Sequence, residues 1–89
     1  MQGRAFRIHG RVQGVGFRWW TRAQAAGLAL SGSVENLPDG SVLVRAAGPT
    51  EQLDRLQTAL GEGPPAAEVT RIDAEPWTGD GTSGFHIVH

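Results

Sequence analysis

The sequence predicts an α+β fold of two layers, with two helices on one face of an antiparallel sheet. Three observations predict it. Polar and apolar residues alternate over 4–12, an Asp39-Gly40 turn separates two extended runs, and leucines recur at helical spacing between residues 53 and 60.

The elements follow in chain order. In the 4–12 segment Phe6, Ile8 and Val12 point one way and Arg7, His9 and Arg11 the other, the pattern of a half-buried strand. Gln13-Gly14-Val15-Gly16 is a tight glycine loop. Residues 17–27 (FRWWTRAQAAG) are alanine-rich, contain no proline and end near Gly27, which predicts a helix. Strands at 31–37 and 41–47 are joined by Leu37-Pro38-Asp39-Gly40, a hairpin signal. Pro49-Thr50 opens a second helix, with Thr50 as its N-cap and Glu51 complementing its positive end. Leu53, Leu56 and Leu60 form its buried stripe, and Gly61, Gly63, Pro64 and Pro65 stop it. Residues 67–75 form a strand, 77–84 a polar, glycine-rich loop, and 85–89 a short final strand.

The order β-α-β-β-α-β plus a short fifth strand is that of a ferredoxin-like sandwich, formed by residues 1–89 as one domain. A right-handed β-α-β crossover makes the first two strands parallel, and the third fits antiparallel between them. The ends of the first two strands then share one edge of the sheet, which brings loop 13–18 beside Asn36.

Composition narrows the function. A chain of 89 residues buries only about two-thirds of its unfolded surface, and it has no cysteine to supplement that core. Thiolate chemistry and cysteine-based metal sites are excluded, and a reducing, cytoplasmic setting fits. No apolar run approaches a membrane span, and Arg4, Arg7 and Arg11 interrupt the N-terminal segment where a signal peptide would be apolar. A net charge of −1 argues against a general polyanion binder. All eight basic residues are arginine, so no lysine can form a Schiff base or serve a P-loop.

Chemistry concentrates in Gly10-Arg11-Val12-Gln13-Gly14-Val15-Gly16-Phe17-Arg18. A strand ends, a glycine loop turns, and a helix starts. Backbone N–H groups in such a turn can converge on an anion, and the free N–H groups of the helix N-terminus add to them. Gly14 and Gly16 allow an approach that a Cβ would block. Arg18, in the first helical turn, can meet phosphate oxygens bidentately. Neither the Walker loop nor the dinucleotide fingerprint is present, since the lysine and the third glycine are missing.

These residues carry a resemblance to the acylphosphatase family. GRVQGVGFR, residues 10–18, is similar to that family's first signature and GSVENLPDGSV, residues 32–42, to its second; the likeness extends over essentially the whole chain. It implies metal-free, cofactor-free hydrolysis of a small acyl phosphate. The phosphate would lie against Gln13, Gly14, Val15, Gly16, Phe17 and Arg18, with Arg18 as catalytic arginine and Asn36 orienting the water. A monomer is expected. Two positions depart from the pattern. Ser33 stands where the family usually has tryptophan and Ala29 where glycine is common, departures that bear on core packing and stability more than on catalysis.

Other readings weigh less. His9, His86 and His89 lack the spacing of metal ligands. Trp20 suits a helix face packed on the sheet, while Trp19 is a candidate for the rim of the site. The carboxylate of His89 is a candidate partner for Arg18. An RNA-recognition motif shares the element order but needs aromatics on its third strand, and Ser41–Ala46 has none, so no nucleic-acid partner is expected. The N-terminal domain of hydrogenase-maturation carbamoyltransferases is also similar and handles carbamoyl phosphate. A stand-alone enzyme is favoured over it, because that domain is fused to a much larger chain.

Overall fold

The computed structural model describes residues 2–79, 81 and 83–89. Five strands and two helices run in the order β1 (Gln2–Arg11), α1 (Phe17–Gly27), β2 (Ser31–Asn36), β3 (Val42–Gly48), α2 (Thr50–Glu62), β4 (Glu68–Pro76) and β5 (Phe85–Val88). The sheet order is β4-β1-β3-β2-β5. As the crossover argument requires, β3 lies between β1 and β2 and is antiparallel to both. The sheet is nonetheless mixed, because β5 pairs parallel with β2. A four-residue strand reached through a loop carries no local signal for its direction.

Alternation decides which side chains are buried. Phe6, Ile8, Val34, Val42 and Val44 point to the helical face and are fully buried against Phe17, Ala25, Leu53, Leu56 and Leu60. Each leucine or phenylalanine so buried contributes about 1.5–3 kcal/mol. The opposite face carries cross-strand rows such as Asp73, Arg7, Leu43, Glu35 and Val88, with no helix over them. Ser33 belongs to this face, in register with Arg45 and His86, so its departure from the family pattern falls outside the core. Here His9 meets Asp73 at 3.1 Å, Arg71 meets Asp73 at 3.1 Å, and Arg45 meets Glu35 at 3.4 Å. Partial desolvation alone would raise the Asp73 carboxyl, but the His9 hydrogen bond and the Arg71 charge outweigh it and hold it below its ordinary range.

Helix α1 spans the expected residues, while both ends of α2 differ from expectation. Thr50 is the first helical residue of α2 rather than its cap; Pro49 occupies the cap and has no side-chain donor or acceptor. Gly61 does not stop α2, which runs to Glu62, and Gly63 ends it with φ 70°. Gly27 is the last helical residue of α1, and the turn out of the helix falls to Ala29 with φ 56°. Ala29 N–H donates to Ala26 O at 3.1 Å and Leu30 N–H to Ala25 O at 3.0 Å, the paired bonds of a Schellman motif.

Candidate active site

The site is assembled where three segments meet at one end of the sheet. The first is the loop that leaves β1. Val12 is buried at its start and Phe17 at its end, so both ends are anchored in the core while Gly14 and Gly16 are exposed between them. Gly14 has φ 75° and Gly16 φ 77°, a left-handed region that favours glycine. A Cβ built on either residue meets nothing within 4 Å, so the space before them is open.

The second segment is the N-terminus of α1. Gly16 is its N-cap and offers no side-chain bond, and the first turn contains no acidic residue. The first intrahelical bond is donated by Trp20 N–H to Gly16 O at 3.0 Å. The N–H groups of Phe17, Arg18 and Trp19 precede it and have no intrahelical acceptor. Positive potential at this end is therefore uncompensated by the helix's own side chains. Phe17 and Trp20 pack together with ring centroids 5.5 Å apart.

Arg18 extends from this turn toward β5. Its Nη1 donates to Val88 O at 3.4 Å, and Arg22, one turn later, donates from Nε to Phe85 O at 3.3 Å. The contact the structure gives Arg18 at this edge is the Val88 carbonyl, not the candidate His89 carboxylate. Among the described residues Arg18 has no carboxylate partner. Trp19 is 59% exposed beside it, with the Arg22 guanidinium 5.8 Å from its ring centroid.

The third segment is the hairpin between β2 and β3. Asn36 closes β2 on the same face as Val34, and its Oδ1 is buried without a hydrogen-bond partner. Asp39 fixes the turn: its Oδ1 accepts from Ser41 N–H at 2.9 Å and from the Ser41 hydroxyl at 2.5 Å. These two donors hold the Asp39 carboxyl below its ordinary range, with Arg7 and His9 adding to the effect against slight desolvation.

Loop and hairpin are joined by one side chain. Gln13 Nε2 donates to Leu37 O at 2.8 Å and to Ser41 O at 2.9 Å. These bonds bring Gln13, at the start of loop 13–18, against Leu37, the residue that follows Asn36. The Gln13 cross-link and the Val88 carbonyl were not legible in the sequence. The Asp39-Gly40-Ser41 turn did carry a signal for the Asp39 bonds, since aspartate commonly binds the backbone two residues on. Among the described residues, no three or more His, Asp or Glu side chains group together as metal ligands would.

Comparison with known proteins gives consistent matches. A family model described as Acylphosphatase matches residues 4–87. An acylphosphatase of Saccharopolyspora erythraea is 50% identical over 80 residues, which cover 88% of this chain and 83% of that protein. The crystal structure of acylphosphatase from Bacillus subtilis superposes with a TM-score of 0.96 at 36% identity, over 100% of both chains. Full-length HypF in the phosphate- and nucleotide-bound form is similar with a TM-score of 0.91 at 27% identity; the match covers 99% of this chain and 12% of that one.

Proposed function

The chain belongs to the acylphosphatase family, and on that premise we propose that it hydrolyses small acyl phosphates to a carboxylate and inorganic phosphate, as a cytoplasmic, metal-independent monomer. The observation that carries the reading is a juxtaposition. A helix N-terminus without a side-chain cap lies at the same sheet end as an arginine and an asparagine Oδ1 that, among the described residues, have no carboxylate partner and no hydrogen-bond partner respectively.

In this reading the backbone N–H groups of loop 13–18 and the Arg18 guanidinium hold the phosphate oxygens. Phosphoryl transfer passes through a loose transition state, so positioning and charge stabilisation provide most of the catalysis. Asn36 places the attacking water. Its Oδ1 is buried without a hydrogen-bond partner among the described residues, so no protein donor competes for it. The water oxygen bonds to phosphorus as the bond from phosphorus to the acyl oxygen breaks. The electron pair leaves on the carboxylate, which needs no general acid, and the water proton passes to a phosphate oxygen. Carbamoyl phosphate falls in the same substrate class.

The test is phosphate release from benzoyl phosphate in excess EDTA. Wild type is expected to turn over unaffected by the chelator. Arg18→Ala should lose both turnover and inhibition by phosphate, by about 100-fold or more, the scale of losing a charge-stabilising donor. Asn36→Ala should lower kcat by a similar factor with phosphate inhibition nearly unchanged. Equal behaviour of the two variants would show that the roles are not divided in this way.

A further inference from the structure

The geometry points to Gln13 as a positioning residue whose side chain sets the distance between the phosphate loop and Asn36. The inference rests on the acyl-phosphate reading of the site and goes beyond it. A glutamine amide has two N–H donors, and both are used: one on Leu37 O at 2.8 Å, one on Ser41 O at 2.9 Å. None is left for phosphate, and the remaining Oε1 would repel it. The Gln13 side chain therefore has a different partner from the backbone around it.

What it grips is the rigid part of the hairpin. Leu37 O already accepts from Gly40 N–H at 3.1 Å, and Ser41 O from Leu37 N–H at 2.8 Å. Gln13 fills the second lone pair of each carbonyl. Ser41 is in turn fixed through both its N–H and its hydroxyl by Asp39. Leu37 directly follows Asn36, and Ser41 directly precedes Val42, the register partner of Asn36, so Gln13 holds both arms of the hairpin at the turn next to the water-placing residue. Loop 13–18 leaves β1 and Asn36 ends β2; β3 lies between these strands, and its register with β1 ends at the Ile8–Val42 pair. Beyond that pair, among the described residues, the Gln13 bonds set the separation of the loop and the hairpin turn. An in-line attack is sensitive to it: a displacement of about 1 Å can cost on the order of 100-fold in rate.

The experiment compares Gln13→Met and Gln13→Glu with wild type, on benzoyl phosphate with inorganic phosphate as competitive inhibitor. Methionine keeps the length of the side chain and removes both donors. The expected result is a kcat lower by about 10- to 100-fold with the phosphate inhibition constant within about two-fold of wild type. Glutamate gives a second readout should the methionine variant fold poorly. Ionised, it faces two carbonyl oxygens with no donor; protonated, it has one O–H to give. The ratio of its kcat to that of wild type should therefore climb as pH falls from 8 to 5. A phosphate inhibition constant that rises as far as kcat falls would make Gln13 a direct phosphate ligand and overturn the proposal. Unchanged kinetics in Gln13→Met, with only the thermal midpoint lowered, would overturn it too. A wild type that hydrolyses no acyl phosphate would sink the acyl-phosphate reading itself, whereas an active wild type with flat variants sinks the strut alone.

Discussion

Ala29 adopts a left-handed backbone, φ 56°, at the C′ position of the α1 Schellman motif, the place where glycine is usual. A Cβ there costs roughly 1–2 kcal/mol. Glycine would relieve that cost but lose more entropy on folding, which offsets about half of it. Ala29→Gly should therefore stabilise the protein by about 0.5–1 kcal/mol, read as a higher urea midpoint at unchanged slope. A lower midpoint would mean that the motif is held by other contacts strongly enough to carry the strain. Gly16, in loop 13–18, is the converse case, a left-handed position already held by glycine. Ala at Gly16 meets no atom, so its cost is conformational alone, about 1–2 kcal/mol of stability; the methyl would enter the open space where phosphate is proposed to lie. Gly16→Ala should weaken phosphate inhibition out of proportion to its effect on folding. Residue identity was the legible part here. Strand, loop and helix signals gave the local setting of Arg18, Asn36 and the two loop glycines, while their candidate roles came from the family resemblance. The conformation of Ala29 could not be read, because the residue alone gives no sign that it, and not Gly27, takes the left-handed position.

At the scale of elements, the β2–β3 hairpin shows how a local signal becomes a titratable one. The Asp39-Gly40 turn was readable from residue types, and so was the pairing of the strands it joins. The Gln13 bonds across to it were not, because they depend on a glutamine from another element reaching two backbone carbonyls. The Asp39 carboxylate accepts two bonds from Ser41, and its folded pKa is depressed. A depressed carboxyl contributes stability that is present above its unfolded value of about 3.9 and is lost as pH falls through the folded value. Asn at this position keeps an acceptor oxygen but has no charge to titrate. The stability difference between wild type and Asp39→Asn should therefore be positive near neutral pH and shrink below about pH 4, in urea titrations at matched ionic strength. Asp73 titrates in both proteins and cancels from the difference. A difference independent of pH would place the Asp39 contribution in geometry and not in charge.

At the scale of the molecule, the candidate site has no element of its own. Its loop ends β1, its cation comes from α1 and bonds to β5, and its asparagine comes from β2, so the layers must be docked before the parts meet. Periodicity and turn chemistry made the two layers and the central three-strand order legible, because one right-handed crossover leaves β3 only one place. The parallel seat of β5 was outside that reach. It depends on where α1 leaves an open strand edge, with Arg18 and Arg22 receiving the carbonyls of Val88 and Phe85. A domain of this size has about 4–13 kcal/mol of stability in all. Leu56 is fully buried between α2 and the sheet, and its truncation to alanine should cost about 2–5 kcal/mol. At a urea slope of about 1 kcal/mol per molar for a small protein, that lowers the midpoint by roughly 2–5 M. If the site exists only in the docked molecule, loss of acyl-phosphate turnover and the change in tryptophan fluorescence should share one midpoint in wild type and in Leu56→Ala. Activity lost at lower urea than fluorescence would mean that loop and hairpin separate before the layers do. Gln13→Met should then widen that gap, since it removes the bonds that hold the two together.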